Sequence, residues 1–388
     1  MKSRFAIIVF SIFLITLSES GAEKAKVPSS WLDSYWYHPM APQGESPKNW
    51  PEIEASLMPE DCGTCHEQKY LEWTTSRHSR AMRHGITGQL HEPWLSKEAQ
   101  IACQACHSPL YEQQPYIVAG GRVVENRLYN RNLRLQGVAC AACHIRKNVR
   151  YGPPVKRWVA PEAAHNGFVA VDDFNRSEFC KPCHQFEPED RRVNGKLVQD
   201  TYEQWKASPA AKEGKSCASC HMADRTHTFQ GIHSQRMVKN GVKIKILKEV
   251  DFAIISITNS GTGHKFPTYV TPKIAVTGRV INLNGVEMES TLIEYPIQWK
   301  VDLDMKTERF DTRLDPGETF EKKFNFPKIY SGNIYEIEVM VYPDEYYERF
   351  YSSLLDKKPE GVDLEKIKKA LEDARNSSFS IYKRQFPF

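Results

Sequence analysis

Alternation of apolar and polar side chains runs through the C-terminal third of the chain. In "VKIKILKEV", Val242, Ile244 and Ile246 alternate with lysines, as in a half-buried β-strand. The alternation continues with Phe252 and Ile254 against Ala253 and Ile255, and further stretches with strand character are 273–283, 291–301, 319–326 and 334–342. Turn sequences such as Asn284-Gly285 and Asp315-Pro316-Gly317 separate them. The pattern predicts a small β-sandwich domain over residues 239–345.

Two other stretches have helical periodicity. After the histidine of "CHEQKY", the residues Tyr70, Thr74, His78 and Met82 recur at four-residue spacing, which is typical of one face of a helix. Gly85 is placed to end that helix. We therefore expect His78 to project from a helix. Residues 346–388 are predicted to be a C-terminal helical segment, in which Asp363 caps an amphipathic helix.

The N-terminus has the pattern of an export signal. Lys2 and Arg4 precede the apolar run 5–17, and small residues follow it, which predicts a signal peptide over residues 1–22. A run of 13 residues is too short to cross a bilayer, which needs about 20. We expect a periplasmic or extracellular protein with no membrane span in the mature chain. Residues 23–60, rich in Pro and Trp, are predicted to form an extended N-terminal segment.

Composition changes this picture, because all ten cysteines fall into five C-x-x-C-H motifs. In chain order, motifs 1 to 5 are Cys62, Cys65, His66; Cys103, Cys106, His107; Cys140, Cys143, His144; Cys180, Cys183, His184; and Cys217, Cys220, His221. Zinc ribbons, thioredoxin-like pairs and disulfide frameworks do not require a histidine after every second cysteine. Covalent attachment of haem c does, because the cysteines bind the haem vinyl groups and the histidine binds the iron. We predict a pentahaem cytochrome c domain over residues 61–238.

Eight histidines outside the motifs could supply the second axial ligand of each iron. We predict that five of them do so: His78, His165, His227, His233 and His264. For His227 and His233 the alternative is an exposed loop histidine, and for His264 it is a corner between strands shaped by Gly261, Gly263 and Pro267. His38 is a substitute if one of the five fails, and His84 and His91 are weaker candidates.

Charge argues against nucleic-acid binding, because the formal net charge is only +4. Residues 122–157 are locally basic, with Glu125 as their single acidic residue. Pairing with haem propionates is the first interpretation of this run, ahead of a solvated face or a docking site for an acidic redox partner.

The pattern W-x-x-S-x-H-x-x-A (Trp73, Ser76, His78, Ala81), the C-x-x-C-H motifs and His165 together resemble the multihaem cytochrome c superfamily. That superfamily contains hydroxylamine oxidoreductase, its tetrahaem cytochrome c acceptor and pentahaem nitrite reductase, and the resemblance covers roughly residues 60–235. It implies haems packed in alternating parallel and perpendicular pairs, with His78 bound to a haem other than that of motif 1. "HTFQGIH" and "GHKFPT" resemble exported multihaem cytochromes with a C-terminal β-domain. The C-x-x-C-K motif of the nitrite reductases does not occur.

These observations predict an α+β protein: a mainly helical, loop-rich multihaem cytochrome domain, then a small β-sandwich and a C-terminal helix. We expect it to transfer electrons along five bis-histidine haems between redox proteins of an anaerobic respiratory chain, either cytochromes or a membrane quinol-linked complex. One alternative is an oxidoreductase with one open haem that acts on nitrite, hydroxylamine, nitric oxide or a small sulfur compound. Another is a structural subunit of a cytochrome complex, filament or homo-oligomer.

Overall fold

The computed structural model describes residues 31–37, 40–155, 164–165, 167–330 and 332–388. The predicted signal peptide and His38 lie outside these residues. We call residues 31–241 the motif region and residues 242–388 the β region. None of the helices in the described ranges has the length and hydrophobicity that a bilayer crossing requires.

Short helices joined by irregular segments make up the motif region. The helices are α1 (Trp31–Tyr35), α2 (Glu52–Ala55), α3 (Pro59–Gly63), α4 (Glu67–Thr74), α5 (His84–Thr87), α6 (Lys97–His107), α7 (Arg131–Arg134), α8 (Cys140–His144), α9 (Lys181–His184), α10 (Thr201–Lys206), α11 (Pro209–Lys212), α12 (Cys217–His221) and α13 (Gln235–Gly241). Between them lie the strands β1 (Tyr116–Ala119), β2 (Arg122–Glu125), β3 (Ile145–Arg146), β4 (Val149–Gly152), β5 (Val169–Ala170), β6 (Arg192–Val193) and β7 (Lys196–Leu197). They pair as β1-β2, β3-β4-β5 and β6-β7.

The predicted helix around His78 ends earlier than expected. α4 stops at Thr74, so His78 lies in the turns that follow and not on a helix. The hydroxyls of Thr74 and Thr75 donate to the carbonyls of Leu71 and Glu72, at 2.8 and 2.7 Å. Such local side-chain bonds compete with helical hydrogen bonds, and the four-residue spacing gave no sign of them.

The segment before motif 1 also differs from the expected extended chain. It contains α1 and α2, and its aromatic residues Trp31, Tyr35 and Trp36 are buried against Leu110 and Leu133 in the main core of the motif region. The rings of Trp31 and Tyr35 stack with their centres 4.1 Å apart. This segment therefore supplies part of the core on which the motifs are built.

Two antiparallel sheets form the β region. Its elements are β8 (Val242–Lys248), β9 (Phe252–Asn259), β10 (Lys273–Ile281), β11 (Ile293–Val301), β12 (Glu308–Asp311), β13 (Thr319–Asn325), β14 (Ile334–Tyr342), α14 (Glu345–Lys357), α15 (Leu364–Arg375) and β15 (Phe379–Pro387). One sheet has the order β12-β11-β10-β14-β15 and the other β13-β9-β8. Alternate residues of both sheets, such as Ile255, Ile297 and Ile337, are fully buried in one shared core.

The mixed α+β class is confirmed, and the four strands predicted at 273–283, 291–301, 319–326 and 334–342 form within two residues of those ends. The side chain of Asp363 accepts a hydrogen bond from the Lys366 amide, as predicted for the cap of α15. β12 and β15 were not predicted. β15 follows the helices and pairs with β14, so the C-terminal segment is not wholly helical.

Candidate haem-binding sites

Each C-x-x-C-H motif lies on or beside one short helix. α6, α8 and α12 carry motifs 2, 3 and 5, α9 carries the end of motif 4, and motif 1 spans the junction of α3 and α4. On a helix, positions i, i+3 and i+4 share one face. In motifs 2, 3 and 5, which lie wholly on a helix, both cysteines and the histidine therefore share one face, which is the arrangement that covalent haem attachment with histidine ligation requires. All ten cysteines are free of disulfides.

Contacts between thiols show which motifs are neighbours. In three places a thiol of one motif lies close enough to a thiol of another to be the largest influence on its pKa. The pairs are Cys62 with Cys140, Cys106 with Cys183, and Cys180 with Cys217. Motif 1 therefore lies beside motif 3, while motif 4 lies beside both motif 2 and motif 5.

Three motif histidines face a histidine from elsewhere in the chain. The ring centres are 6.2 Å apart for His184 and His78, 6.2 Å for His144 and His227, and 6.3 Å for His221 and His264. Two imidazoles on opposite sides of one metal ion, with bonds of about 2 Å and about 1 Å more to each ring centre, would be separated by about 6 Å. The three spacings fit axial ligation of an iron between each pair.

The Nδ1 atoms of three of these rings are held by backbone carbonyl groups, which leaves Nε2 free for a metal. Nδ1 of His144 lies 2.8 Å from the Tyr151 carbonyl oxygen and Nδ1 of His221 lies 2.6 Å from that of Gln230. Nδ1 of His264 lies 2.8 Å from the Lys265 carbonyl oxygen. Each ring is thereby fixed in orientation by a neighbouring backbone group.

Burial keeps four of the paired histidines neutral, which is the form that binds metals. It lowers the pKa of His78 to about 3, and the pKa values of His184, His227 and His264 to about 4, with smaller effects from neighbouring histidines.

The loop that carries His264 reaches from the β region to the motif region. Lys265 N donates to Gln204 Oε1 on α10 at 3.1 Å. At Gly263 an added Cβ would come within 3.1 Å of both Trp205 and Ala210, so a larger residue would push the loop off α10 and α11. The glycine-rich corner thus brings His264 to motif 5.

His227 and His165 are held by carboxylates of the motif region. The amide of His227 donates to Glu72 Oε2 at 2.8 Å, and the amide of His165 donates to Glu54 Oε2 at 2.6 Å. His165 lies near His66 of motif 1, where burial and the charge of His165 both lower the pKa of His66. The structure therefore brings a fourth histidine from outside the motifs to a motif histidine.

The remaining histidines have other surroundings. Nε2 of His233, the atom that would have to bind iron, lies 2.9 Å from Asp344 Oδ2. Nδ1 of His107 lies 2.7 Å from the Ala81 carbonyl oxygen, and in the described part of the chain no second imidazole forms a ring pair with His107. His84 lies beside Asp373, and His91 is exposed.

Comparison with known proteins also supports the interpretation of the motifs as haem-binding sites. Residues 61–145 match the family model of cytochrome c554 and c-prime. The fold is similar to that of a penta-haem cytochrome c552 from Thermochromatium tepidum, with a TM-score of 0.60 and 17% sequence identity over 87% of this chain and 100% of the other. The findings support a multihaem c-type cytochrome. No curated protein matches the chain in sequence.

Two arginine nitrogen atoms without a hydrogen-bond partner among the described residues fit the carboxylates that haem c carries. Arg80 Nε and Arg146 Nη2 are buried without a hydrogen-bond partner among the described residues. Buried donors of this kind are usually paired, and a propionate is a suitable acceptor. Other arginines of the predicted basic run have protein partners instead, as Arg134 does in Gln104.

One residue of this site escaped the sequence analysis. Nδ1 of His184 lies 2.9 Å from the hydroxyl of Tyr269, which belongs to the β region. Tyr269 stands two residues after the end of "GHKFP" with no periodic or spacing signal, so only the folded chain brings it to motif 4.

Proposed function

We propose that this chain is an exported pentahaem c-type cytochrome that transfers electrons between redox proteins of a respiratory chain. The observation that carries the proposal is the spacing of 6.2–6.3 Å between three motif histidines and three histidines from elsewhere in the chain. When bound, each haem would supply a one-electron iron couple. The name of the similar penta-haem cytochrome c552 supports the count of five.

The proposed axial pairs follow from these neighbours. We assign His78 to the haem of motif 4, His227 to that of motif 3, His264 to that of motif 5 and His165 to that of motif 1. His233 does not join this set, because Asp344 occupies its Nε2. Bis-histidine ligation favours lower potentials than methionine-histidine ligation, in keeping with anaerobic respiration.

The thiol contacts support an order for electron transfer. Motif 1 adjoins motif 3, and motif 4 adjoins motifs 2 and 5. Cys143 of motif 3 also acts electrostatically on both cysteines of motif 4. Motif 4 is therefore a branch point, with motifs 1, 2 and 5 at the ends where partner proteins, cytochromes or a membrane quinol-linked complex, could exchange electrons.

The test is EPR spectroscopy of the haem-loaded ferric protein. Replacement of one strong axial ligand leaves a weaker ligand field, so His264→Ala should convert one low-spin haem to high spin. His91→Ala, at an exposed histidine, is the matched control and should change nothing. A His264→Ala protein with an unaltered low-spin spectrum would refute the assignment of His264.

A second function, catalysis at motif 2, is favoured by the surroundings of His107, which has no partner imidazole among the described residues. Tyr347 lies within electrostatic range of Cys103, Arg77 and Asp344, so polar groups stand near this motif. Such groups could stabilise nitrite, hydroxylamine or another small nitrogen or sulfur compound.

The same EPR spectrum of the wild type tests this second function. One high-spin haem in the wild type, shifted by nitrite or hydroxylamine, would favour catalysis. Five low-spin haems would eliminate it.

A further inference from the structure

The contact between Tyr269 and His184 distinguishes motif 4 from the other motifs. The Nδ1 atoms of His107, His144 and His221 each lie beside a backbone carbonyl, at 2.6–2.8 Å. Nδ1 of His184 instead lies 2.9 Å from a side-chain hydroxyl. The carbonyls belong to the motif region itself, whereas Tyr269 comes from the β region.

Both the motif region and the β region hold the loop that presents Tyr269. Gln204 of α10 accepts hydrogen bonds from the Lys265 amide and the Thr268 hydroxyl, at 3.1 and 3.0 Å. From the β region, Arg313 Nη1 donates to the Thr268 carbonyl oxygen at 2.9 Å. The loop that presents Tyr269 is therefore anchored to both regions.

A chain of hydroxyl groups continues from Tyr269. Burial raises the pKa of Tyr269, the neighbouring Thr201 side chain offsets part of that rise, and Thr201 Oγ1 lies 2.9 Å from Thr268 Oγ1. Hydrogen bonds in a chain polarise one another. Because Nδ1 of a histidine bound through Nε2 carries the proton, the Tyr269 oxygen is the acceptor for His184 and its own proton is free for Thr201.

The acceptor at Nδ1 controls how strongly a histidine donates to its metal. A good acceptor makes the imidazole more basic, favours the oxidised iron and lowers the reduction potential. We propose that Tyr269 positions the His184 ring and tunes the reduction potential of the haem at motif 4. This inference rests on the proposed function, since it requires haem at that motif. Because motif 4 is the proposed branch point, Tyr269 would govern the distribution of electrons towards motifs 2 and 5.

The test is spectroelectrochemical titration of the haem-loaded Tyr269→Phe protein. Phenylalanine keeps the ring and removes the acceptor, so one midpoint potential should rise while the other four stay where they are. Thr201→Val should move the same midpoint by a smaller amount. The midpoint is assigned to motif 4 if His78→Met, which changes the proposed second ligand of that haem, moves it as well.

Tyr382→Phe is the matched control, because Tyr382 is a partly buried phenol of β15 in the β region, and it should move no midpoint. Unchanged thermal melting of Tyr269→Phe alongside a shifted midpoint would separate tuning from a merely structural role. Unchanged midpoints, an equal shift of all five, or loss of a low-spin haem would overturn the inference. A wild type without haem at motif 4 would instead contradict the proposed function.

Discussion

The motif region and the β region bury their side chains very differently. Among the described residues, nine of the twelve largest fully buried side chains belong to the β region, and only Leu110, Leu133 and Gln104 belong to the longer motif region. The β region forms a continuous core between two sheets, as an ordinary globular domain does. The motif region has helices of one to three turns and a small aromatic core. Its stability should therefore depend on covalent cofactors, whereas that of the β region should not.

Function is nevertheless shared between the two regions. The β region presents His264 to motif 5 and Tyr269 to motif 4. It also packs Trp299 and Tyr346 against Val193 of the motif region. The β region, which has its own core, thus holds part of the candidate haem-binding sites of the motif region in place.

The largest effect should come from removal of one haem attachment. We expect the double variant Cys140→Ser, Cys143→Ser to carry four haems in place of five and to lose order in the motif region, because large apolar groups fill its interior. Mass spectrometry and pyridine haemochrome assay measure the haem count, and circular dichroism reports the strands of the β region, which should persist. Ser219→Ala, between the cysteines of motif 5, is the control. If the strand signal vanished with the haem, the two regions would not differ as described.

An intermediate effect is expected from a cavity in the β region. Ile337 is fully buried between the sheets, so Ile337→Ala should lower the free energy of unfolding by about 2–5 kcal/mol. Ile329 is 82% exposed, and Ile329→Ala should change it by less than about 0.5 kcal/mol. Urea titration followed by circular dichroism and by haem absorbance measures both variants. Loss of strands at lower urea, with a change in the bands of only the haem that His264 would bind, would support independent unfolding of the β region, and coincident loss of all haem bands would argue against it.

The same contrast explains what sequence could predict. The cysteine motifs directly indicate covalent haem attachment. The alternation of Val242, Ile244 and Ile246 predicts a strand, because side chains of a half-buried strand alternate with a period of two residues. The short β12 escaped because its four residues have little pattern of their own, although it pairs with the preceding strand β11, and the final β15 escaped because it pairs with β14 across two intervening helices. These strands form through tertiary contacts, which local sequence does not record.

The candidate site shows the same limit. His78, His227 and His264 were selected by residue type and context, and the structure places each opposite a motif histidine. The prediction that a helix carries His78 was wrong, because hydroxyl side chains end α4 at Thr74. Asp344, which takes up Nε2 of His233, lies 111 residues away along the chain. A partner so distant leaves no spacing signal.

The smallest effect should come from the ion pairs that join the two regions. Nζ of Lys196, on β7, lies 2.6 Å from carboxylate oxygens of both Asp311 and Glu308 in the β region. Burial of Asp311 would raise its pKa, but hydrogen bonds from Arg313 and Lys196 outweigh burial and lower it from 3.8 to about 2. A depressed pKa means that the carboxylate stabilises the fold above about pH 4 and that this contribution disappears as the pH falls towards 2.

Asp311→Asn should therefore lower the free energy of unfolding at neutral pH by about 2 kcal/mol and flatten its dependence on pH between about 4 and 2. Urea titrations across this pH range measure both changes. Asp302→Asn is the control, because its partner Arg309 is 62% exposed and such surface pairs contribute about 0–1 kcal/mol. Equal pH dependence in the two variants would mean that the contacts of Asp311 with Arg313 and Lys196 do not stabilise the fold. A steeper loss for Asp311→Asn in the haem-loaded protein, accompanied by high-spin haem at motif 5, would mean that they keep His264 in place.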